Sequence, residues 1–451
     1  MKKQNIEHII LIYLDALRAD HLSCYGYHRN TTPNIDSLAK KGVLFKNTFS
    51  QGSSTFPSVH SALTSKYASH FFTKNKKKLS DEELTLAEVL KKNGYYTAGF
   101  SSNPLITKTE TRYSLGGFEQ GFYMYDDSVY QGEKWNWQWR SPEGIIENAL
   151  AWLEQNHGKK FFLLLYVMDP HCRYDSPEPY NSMYDPDYTG KNKYIIQGNP
   201  SFFEFYILKG TEVDLNERDI FHLISLYDGE ITYADAQIGR LINKLQKLNL
   251  AKKTLIVLTS DHGEEFFEHG GVKHGYTLYN EAIKVPLIMM CPSCLPKNKK
   301  VDEIVQSLDI VPTILDIAKI KKPKVMQGES LLPLIKGKKS RWRSYAISET
   351  PFVDAKAIIT KQWKYIHHFE SRPLRPDICN KYKKGKELFN LEKDPEERIN
   401  LYEKNPTVTK ELFLLLLSLM PSSETERLKL GKDIKLDKKT LDRLKSLGYL
   451  K

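Results

Sequence analysis

The sequence predicts an α/β fold: a mostly parallel central sheet with helices on both faces, followed by a smaller C-terminal α+β subdomain. Three observations carry this expectation. Short, continuous apolar runs at Ile9–Leu14, Phe161–Met168, Thr254–Ser260 and Val285–Met290 have the pattern of strands buried on both faces. Segments with helical periodicity alternate with them over about 330 residues, the arrangement that builds a parallel sheet. After about residue 340 the texture changes to aromatic, polar, strand-like pieces and then helices, which predicts an antiparallel sheet with a covering helix. The organisation expected is one domain over residues 1–338 and a subdomain over 339–451.

Each element has its own justification. Ile9–Leu14 follows Lys2, Lys3, Glu7 and His8 and ends at Asp15. It is too short for a secretory leader and lacks a small-residue cleavage site, so it reads as the first strand. Pro33–Lys41 reads as a helix and Val43–Thr48 as a strand. Leu84–Asn93 is helical and stops at Gly94, and Tyr95–Ser101 is the next strand, ending in Ser102-Asn103-Pro104. Gly144–Gln155 is an amphipathic helix, and the apolar run Phe161–Met168 ends in Asp169-Pro-His171. Residues 172–215, rich in Tyr, Pro, Asn and Asp, read as a long insertion over the carboxyl edge of the sheet. Ile220–Leu248 is a long helix, Thr254–Ser260 a strand ending in Asp261-His-Gly263, and Leu308–Ile317 a helix. Tyr345–Glu349, Trp363–His367 and Glu387–Leu391 are the strand-like pieces of the C-terminal subdomain.

Composition bounds the function class. A net charge of +11 comes mostly from lysines in short runs, at Lys76–Lys78, at Lys297, Lys299 and Lys300, and at Lys383 and Lys384. These read as a solvated basic surface, with attraction to an anionic substrate, polymer or membrane face as the sharper alternative. No nucleic-acid module is visible. The five cysteines, Cys24, Cys172, Cys291, Cys294 and Cys379, are sparse and odd in number, which argues against a disulfide framework and for a reducing compartment. Cys291-Pro-Ser-Cys294 has no second pair and reads as a turn after a strand. No run approaches the roughly twenty apolar residues of a membrane helix, so the expected protein has no transmembrane segment and is cytoplasmic.

The chemistry-bearing residues sit at strand ends. Asp15, His171 and the pair Asp261-His262 each follow directly on an apolar strand. Parallel strands share a direction, so these residues converge on one edge, where open α/β sheets bind ligands. Two carboxylates with an imidazole and a nearby hydroxyl suit a divalent cation such as Zn²⁺ or Mn²⁺. Each residue has a bland alternative as a cap or turn residue. The stretch Ser53–Ser65 supplies the hydroxyl: Thr55 lies two residues before Pro57, which suits a first helical turn, and a nucleophile there faces the positive end of a helix. Its alternative is an ordinary helix cap. The glycine-punctuated stretch Glu264–Tyr276 holds His269, Lys273 and His274, which face no obvious core; either histidine is a candidate to contact a transferred anionic group or to protonate a leaving group, the alternative being a polar flexible loop with incidental histidines.

Together these segments resemble the sulfatase family of the alkaline phosphatase superfamily. The resemblance rests on Asp15-Ala-Leu-Arg-Ala-Asp-His-Leu-Ser-Cys-Tyr-Gly26, Thr32-Pro-Asn-Ile-Asp36, the Thr55 stretch, Asp169-Pro-His171 and Ser260-Asp-His-Gly-Glu264. It continues through His274-Gly-Tyr-Thr-Leu-Tyr279, Val285-Pro-Leu-Ile288, Asp309-Ile-Val-Pro-Thr313 and Gly328-Glu-Ser-Leu331. Glu387–Pro395 with Asn400-Leu401, and the tail Arg443–Leu450, complete it. It implies an alkaline phosphatase-like sheet, with Asp15, Asp261 and His262 holding one divalent metal (Mn²⁺ or Zn²⁺, with Ca²⁺ as a third choice) and Thr55 at the nucleophile position as a further ligand. His171 and His274 match positions that contact the transferred or leaving group, His274 standing where many sulfatases have lysine. Asn103, with His269 and Lys273, is expected on the substrate.

Two departures narrow the chemistry. Sulfatases oxidise a Cys or Ser, followed four residues later by Arg, to formylglycine; here those positions hold Thr55 and Val59. Threonine carries a methyl on Cβ and cannot give that aldehyde. The second Asp that many sulfatases place beside the first is Ala16. The remaining set resembles single-metal, threonine-nucleophile branches such as lipoteichoic acid synthases and phosphoethanolamine transferases. The expectation is a metal-dependent hydrolase of phosphodiesters or phosphonate esters acting through Thr55. The alternatives are sulfate ester hydrolysis without formylglycine, transfer of a phospho-head-group onto a glycan or lipid, and a non-catalytic binding protein. The expected partner is an anionic ester, carried on a glycan or lipid head group.

Overall fold

The computed structural model describes residues 6–69, 79–108, 116–128, 141–190, 215–338, 342–369 and 385–420. Residues 191–214 of the expected insertion, Lys76–Lys78, Cys379, Lys383, Lys384 and the tail Arg443–Leu450 lie outside the described residues. In chain order the strands are β1 (His8–Leu14), β2 (Val43–Phe49), β3 (Tyr96–Ser101), β4 (Met124–Asp126), β5 (Phe161–Val167), β6 (Thr254–Thr259), β7 (Glu265–Phe266) and β8 (Val272–Lys273). They continue with β9 (Lys284–Met290), β10 (Lys299–Gln306), β11 (Tyr345–Thr350), β12 (Ala355–Thr360), β13 (Trp363–His368) and β14 (Lys386–Asn390). The principal helices are α1 (Pro33–Lys41), α2 (Thr55–Thr64), α3 (Leu86–Lys92), α4 (Pro142–Asn156), α5 (Glu217–Lys247), α6 (Ile310–Ile317) and α7 (Pro406–Leu419).

Two compact units interleave along the chain: Met1–Leu44 with Lys77–Lys273 and Pro286–Lys300, and Phe45–Lys76 with His274–Val285 and Val301–Lys451. In the first unit the strand order is β9-β6-β1-β5-β3-β4. β1 pairs in parallel with both β5 and β6, Leu14 lying opposite Val167 and Tyr13 opposite Thr259. β3 runs parallel to β5 and to β4. Every residue of β1, β5 and β6 is buried, so both faces are covered, which is why these runs are apolar without alternation. α4 packs on β3 and β5, and both α1 and α4 pack on α5.

The buried run expected at 285–290 forms β9, but it pairs antiparallel with β6. A parallel return needs a crossover helix, and the chain between β6 and β9 spends its length on the β7–β8 hairpin and one helical turn at Asn280–Ile283. Helix α5 starts earlier than its apolar periodicity suggests because Asn216 and Asp219 form a reciprocal capping box. Cys291–Cys294 is a turn, with Cys294 N–H donating to the Cys291 carbonyl at 3.1 Å, and the structure also joins the two sulfurs as a disulfide. The sparse-cysteine reading missed this short-range bridge.

In the second unit α2 packs against α6 and the turn that precedes it, and β10 lies beside β2. Lys299 and Lys300, read as part of a solvated basic run, open β10, whose alternating burial places Val301 in the core. The C-terminal sheet is antiparallel in chain order, β11-β12-β13-β14, and α7 covers it. Its core joins Ile347, Ile358, Tyr365 and Leu388 to Leu412, Leu415 and Leu416 of the helix. Among the described residues no helix is long and apolar enough to cross a membrane.

Candidate active site

Parallel pairing builds the site in the first unit. β1, β5 and β6 are in register, so the residues after Leu14 and Thr259 emerge side by side at the carboxyl ends of adjacent strands. Asp15, Asp261 and His262 are all buried, and their ligand atoms lie within 4.8 Å of one another. The turn after β1 is held in an uncommon shape: Ala16 has φ +58°, a left-handed conformation that costs a non-glycine residue about 1 kcal/mol. Three bonds fix it. Ala16 N–H donates to Asp261 Oδ1 at 3.2 Å, Leu17 N–H to Ser260 Oγ at 2.9 Å, and the Tyr227 hydroxyl of α5 donates to the Ala16 carbonyl at 2.7 Å while accepting from Arg18 N–H.

The carboxylates are oriented by two further donors. Asn103, just past β3, donates from Nδ2 to Asp15 Oδ2 at 2.5 Å. Expected on the substrate, it is engaged here with a site carboxylate. Tyr166 of β5 reaches both acids, donating to Asp261 Oδ2 at 2.7 Å and lying 3.3 Å from Asp15 Oδ2. Burial, reinforced by the Asp261 charge, pushes the Asp15 carboxyl well above its ordinary range, against His171, Asn103 and Tyr166.

The donor chemistry tests whether this trio fits a divalent metal. His262 Nδ1 lies 2.9 Å from the Gly263 carbonyl, which can only accept, so Nδ1 carries the hydrogen, and the neutral ring presents the lone pair of Nε2. That lone pair sits 3.5 Å from Asp15 Oδ1 and 3.3 Å from Asp261 Oδ2, and Asp15 Oδ1 receives no hydrogen bond. Three electron-pair donors facing one another in a buried space repel unless a cation lies among them. The residues fit. Tyr166→Phe is therefore expected to weaken Mn²⁺ or Zn²⁺ binding by about tenfold to a hundredfold, as loss of a partner to a metal-ligating group does. Calorimetric titration of wild type and variant checks it, and equal affinities would refute the role.

A second cluster adjoins on the same unit. His171 donates from Nδ1 to the Cys172 carbonyl at 2.6 Å. Burial disfavours its charge, but Cys172, Asp15 and Glu264 overcome this and raise it to about 10, so it is cationic at neutral pH. Burial would push the Cys172 thiol up, yet Lys273 and His171 outweigh it and the thiol is lowered. Glu264 is raised by burial against His171, His262 and Lys273. Lys273 thus faces this cluster, at φ +70° on β8, while His269 lies half-buried in the β7–β8 loop.

Thr55 and His274 belong to the second unit. Thr55 is buried as the first residue of α2. Ser54, at the N-cap, makes no side-chain capping bond, and the buried hydroxyls of Ser53 and Ser54 have no hydrogen-bond partner. This helix N-terminus is buried, with the Ser53 and Ser54 hydroxyls beside it. His274 is half-buried beside Gly275, whose carbonyl accepts from Thr350 Oγ1. Sequence reasoning missed Tyr166, Tyr227, Cys172 and Glu264. Glu264 carried a signal as the end of Ser260-Asp-His-Gly-Glu264, and Tyr166 carried one because a buried tyrosine in an apolar strand must find a partner for its hydroxyl.

Comparison with known proteins identifies the family and the fold. The family model described as Sulfatase matches residues 7–320, and one described as N-sulphoglucosamine sulphohydrolase, C-terminal, matches residues 268–419. An arylsulfatase of Clostridium perfringens is 28% identical over 457 residues, covering 87% of this chain and 89% of its own. Two solved structures share the fold. One, in complex with its substrate D-glucosamine-2-N,6-O-disulfate, has a TM-score of 0.71 at 20% identity, over 97% of this chain and 100% of that one. The other, the phosphonate monoester hydrolase of Agrobacterium radiobacter, has a TM-score of 0.72 at 20% identity, over 94% of this chain and 96% of that one. The match of the Sulfatase model to most of the chain, on strands that carry Asp15, Asp261 and His262, makes this protein a member of the sulfatase family.

Proposed function

We propose that this chain is a metal-dependent hydrolase of anionic esters that works through Thr55, with phosphonate esters and phosphodiesters as its preferred class and a saccharide as the carrier. The observation that carries this reading is Thr55 itself, the first residue of α2 at a buried N-terminus whose neighbouring serines cap nothing. A threonine gives no formylglycine, so no hemiacetal route to sulfate release is open, whereas an alkoxide attacks phosphorus directly. Sulfate ester hydrolysis is the second reading, favoured by the arylsulfatase relative.

A divalent ion held by Asp15, Asp261 and His262 would supply positive charge that acidifies a hydroxyl and neutralises ester oxygens. The chain's own residues do the rest. Asn103 and Tyr166 keep both carboxylates turned to one point. The helix N-terminus at Thr55 favours an anionic group. Thr55 Oγ gives up its proton to solvent and forms the bond to phosphorus as the bond to the leaving oxygen breaks. A cationic His171, or His274, gives that oxygen a proton. Water then cleaves the phospho-threonine, returning the hydroxyl.

The experiment is a panel of aryl sulfate, aryl phosphonate monoester and bis-aryl phosphate, each with Mn²⁺, Zn²⁺ and Ca²⁺ after chelation. Phosphorus esters are expected to turn over faster than the sulfate. A sulfate rate above both phosphorus esters reverses the order of the two readings. Chelation is expected to abolish turnover and lower the melting temperature, because at a hundredfold excess over its Kd a ligand adds about 2.7 kcal/mol to stability. An unchanged melting curve on adding Mn²⁺ or Zn²⁺ counts against the metal.

A further inference from the structure

The parallel strands of the first unit have a second edge, at their amino ends and about 20 Å from the carboxyl edge, given about 3.3 Å per residue along a seven-residue strand. Five lysines lie along it, from separate segments. Lys252 precedes β6, Lys159 and Lys160 precede β5, and Lys91 and Lys92 end α3 before β3. None has a carboxylate within ion-pair distance among the described residues. The acids nearby are engaged elsewhere: Glu7 with Lys253, Glu154 with Lys244, and Glu88 with the Thr85 cap and Gln120.

Aromatic rings interleave with these charges. Lys91 Nζ lies 4.2 Å from the centre of the Tyr123 ring, Lys159 Nζ 3.7 Å from Tyr96, and Lys160 Nζ 3.9 Å from Tyr95. Tyr96 stacks between Tyr123 at 5.3 Å and Trp152 at 5.9 Å. Tyr123 is 58% exposed, far more than a structural tyrosine needs. From β6 to β4 the edge spans four strand spacings, about 19 Å. A solvated charge run needs no aromatic ladder, and a ladder built only for stability would not leave its end ring exposed.

We propose that this edge is a second, non-catalytic docking surface for an acidic polysaccharide chain. The lysines meet the anionic substituents, and Tyr123, the exposed end ring of the ladder, offers its surface to the C–H faces of sugar rings. The choice of polysaccharide over nucleic acid rests on the reading of the substrate as a saccharide-borne ester; the surface itself rests only on the residues above. It would raise the local concentration of a polymeric substrate without touching the reacting group.

The test uses the full chain, with heparin as the probe, an oligonucleotide of equal charge as its rival, and neutral dextran as the control. Lys91→Gln/Lys92→Gln/Lys159→Gln/Lys160→Gln and the single variant Tyr123→Ala are compared with wild type. The quadruple variant is expected to bind heparin about tenfold more weakly with a shallower salt dependence, and Tyr123→Ala to weaken it severalfold. Turnover of a small aryl ester should stay at wild-type kcat/KM in both. Wild-type heparin affinity in the quadruple variant overturns the surface. Tighter lysine-dependent binding of the oligonucleotide overturns the polysaccharide assignment. Because binding is read without turnover, loss of the hydrolase reading leaves this result separately legible.

Discussion

Thr55→Ala is expected to lower kcat by on the order of 10⁴-fold or more while the protein keeps its fold. That magnitude is typical of removing a catalytic nucleophile. The fold survives because Thr55 opens α2, where alanine is a good helix residue, and because the N-cap is Ser54. Thr55→Ser separates roles: it keeps the hydroxyl and drops only the methyl, so it retains measurable turnover. Single-turnover assays with an aryl phosphonate monoester, alongside thermal melts, read both effects. Full activity in Thr55→Ala sinks the nucleophile assignment. Val59, where an arginine would be needed to oxidise position 55, is buried one turn further along the same helix, and an arginine there would place an unpaired charge in the core.

Asp15→Asn should separate function from stability in opposite directions. Turnover falls on the order of 10³-fold, because a metal centre supplies several kcal/mol of charge stabilisation. The metal-free protein, in contrast, melts no lower than wild type and is expected to melt higher. Its Asp15 and Asp261 carboxylates are buried together, and the raised Asp15 carboxyl reports that strain. An asparagine oxygen still accepts from Asn103 Nδ2 without the charge. Differential scanning calorimetry with and without Mn²⁺ decides it. A metal-induced rise in melting temperature that persists in Asp15→Asn would contradict the ligand role.

Much of this was legible beforehand for a physical reason. Strands buried on both faces must be apolar throughout, so β1, β5 and β6 announced themselves, and a polar residue at the end of such a run has little structural excuse. Asp15 and the Asp261-His262 pair were readable on that ground. β4, β10 and β12 were not. Three residues carry no periodicity in β4, the opening lysines of β10 resemble a surface run, and Ala355–Thr360 mixes lysine and alanine in a strand whose burial comes from its neighbours. The direction of β9 was also hidden, because an apolar run looks the same in either sense.

The sequence by itself determined the fold class and the family, since those follow from burial patterns and from local motifs, and it singled out Asp15, Asp261 and His262, which the structure brings together. Only the tertiary structure decided that Tyr166 bridges the two carboxylates, that Tyr227 holds the left-handed turn at Ala16, that Glu264 sits beside His171, and that lysines and tyrosines from separate segments lie along one edge of the sheet. Each of these joins residues far apart in the chain through strand register and helix packing, and such contacts leave no local pattern to read.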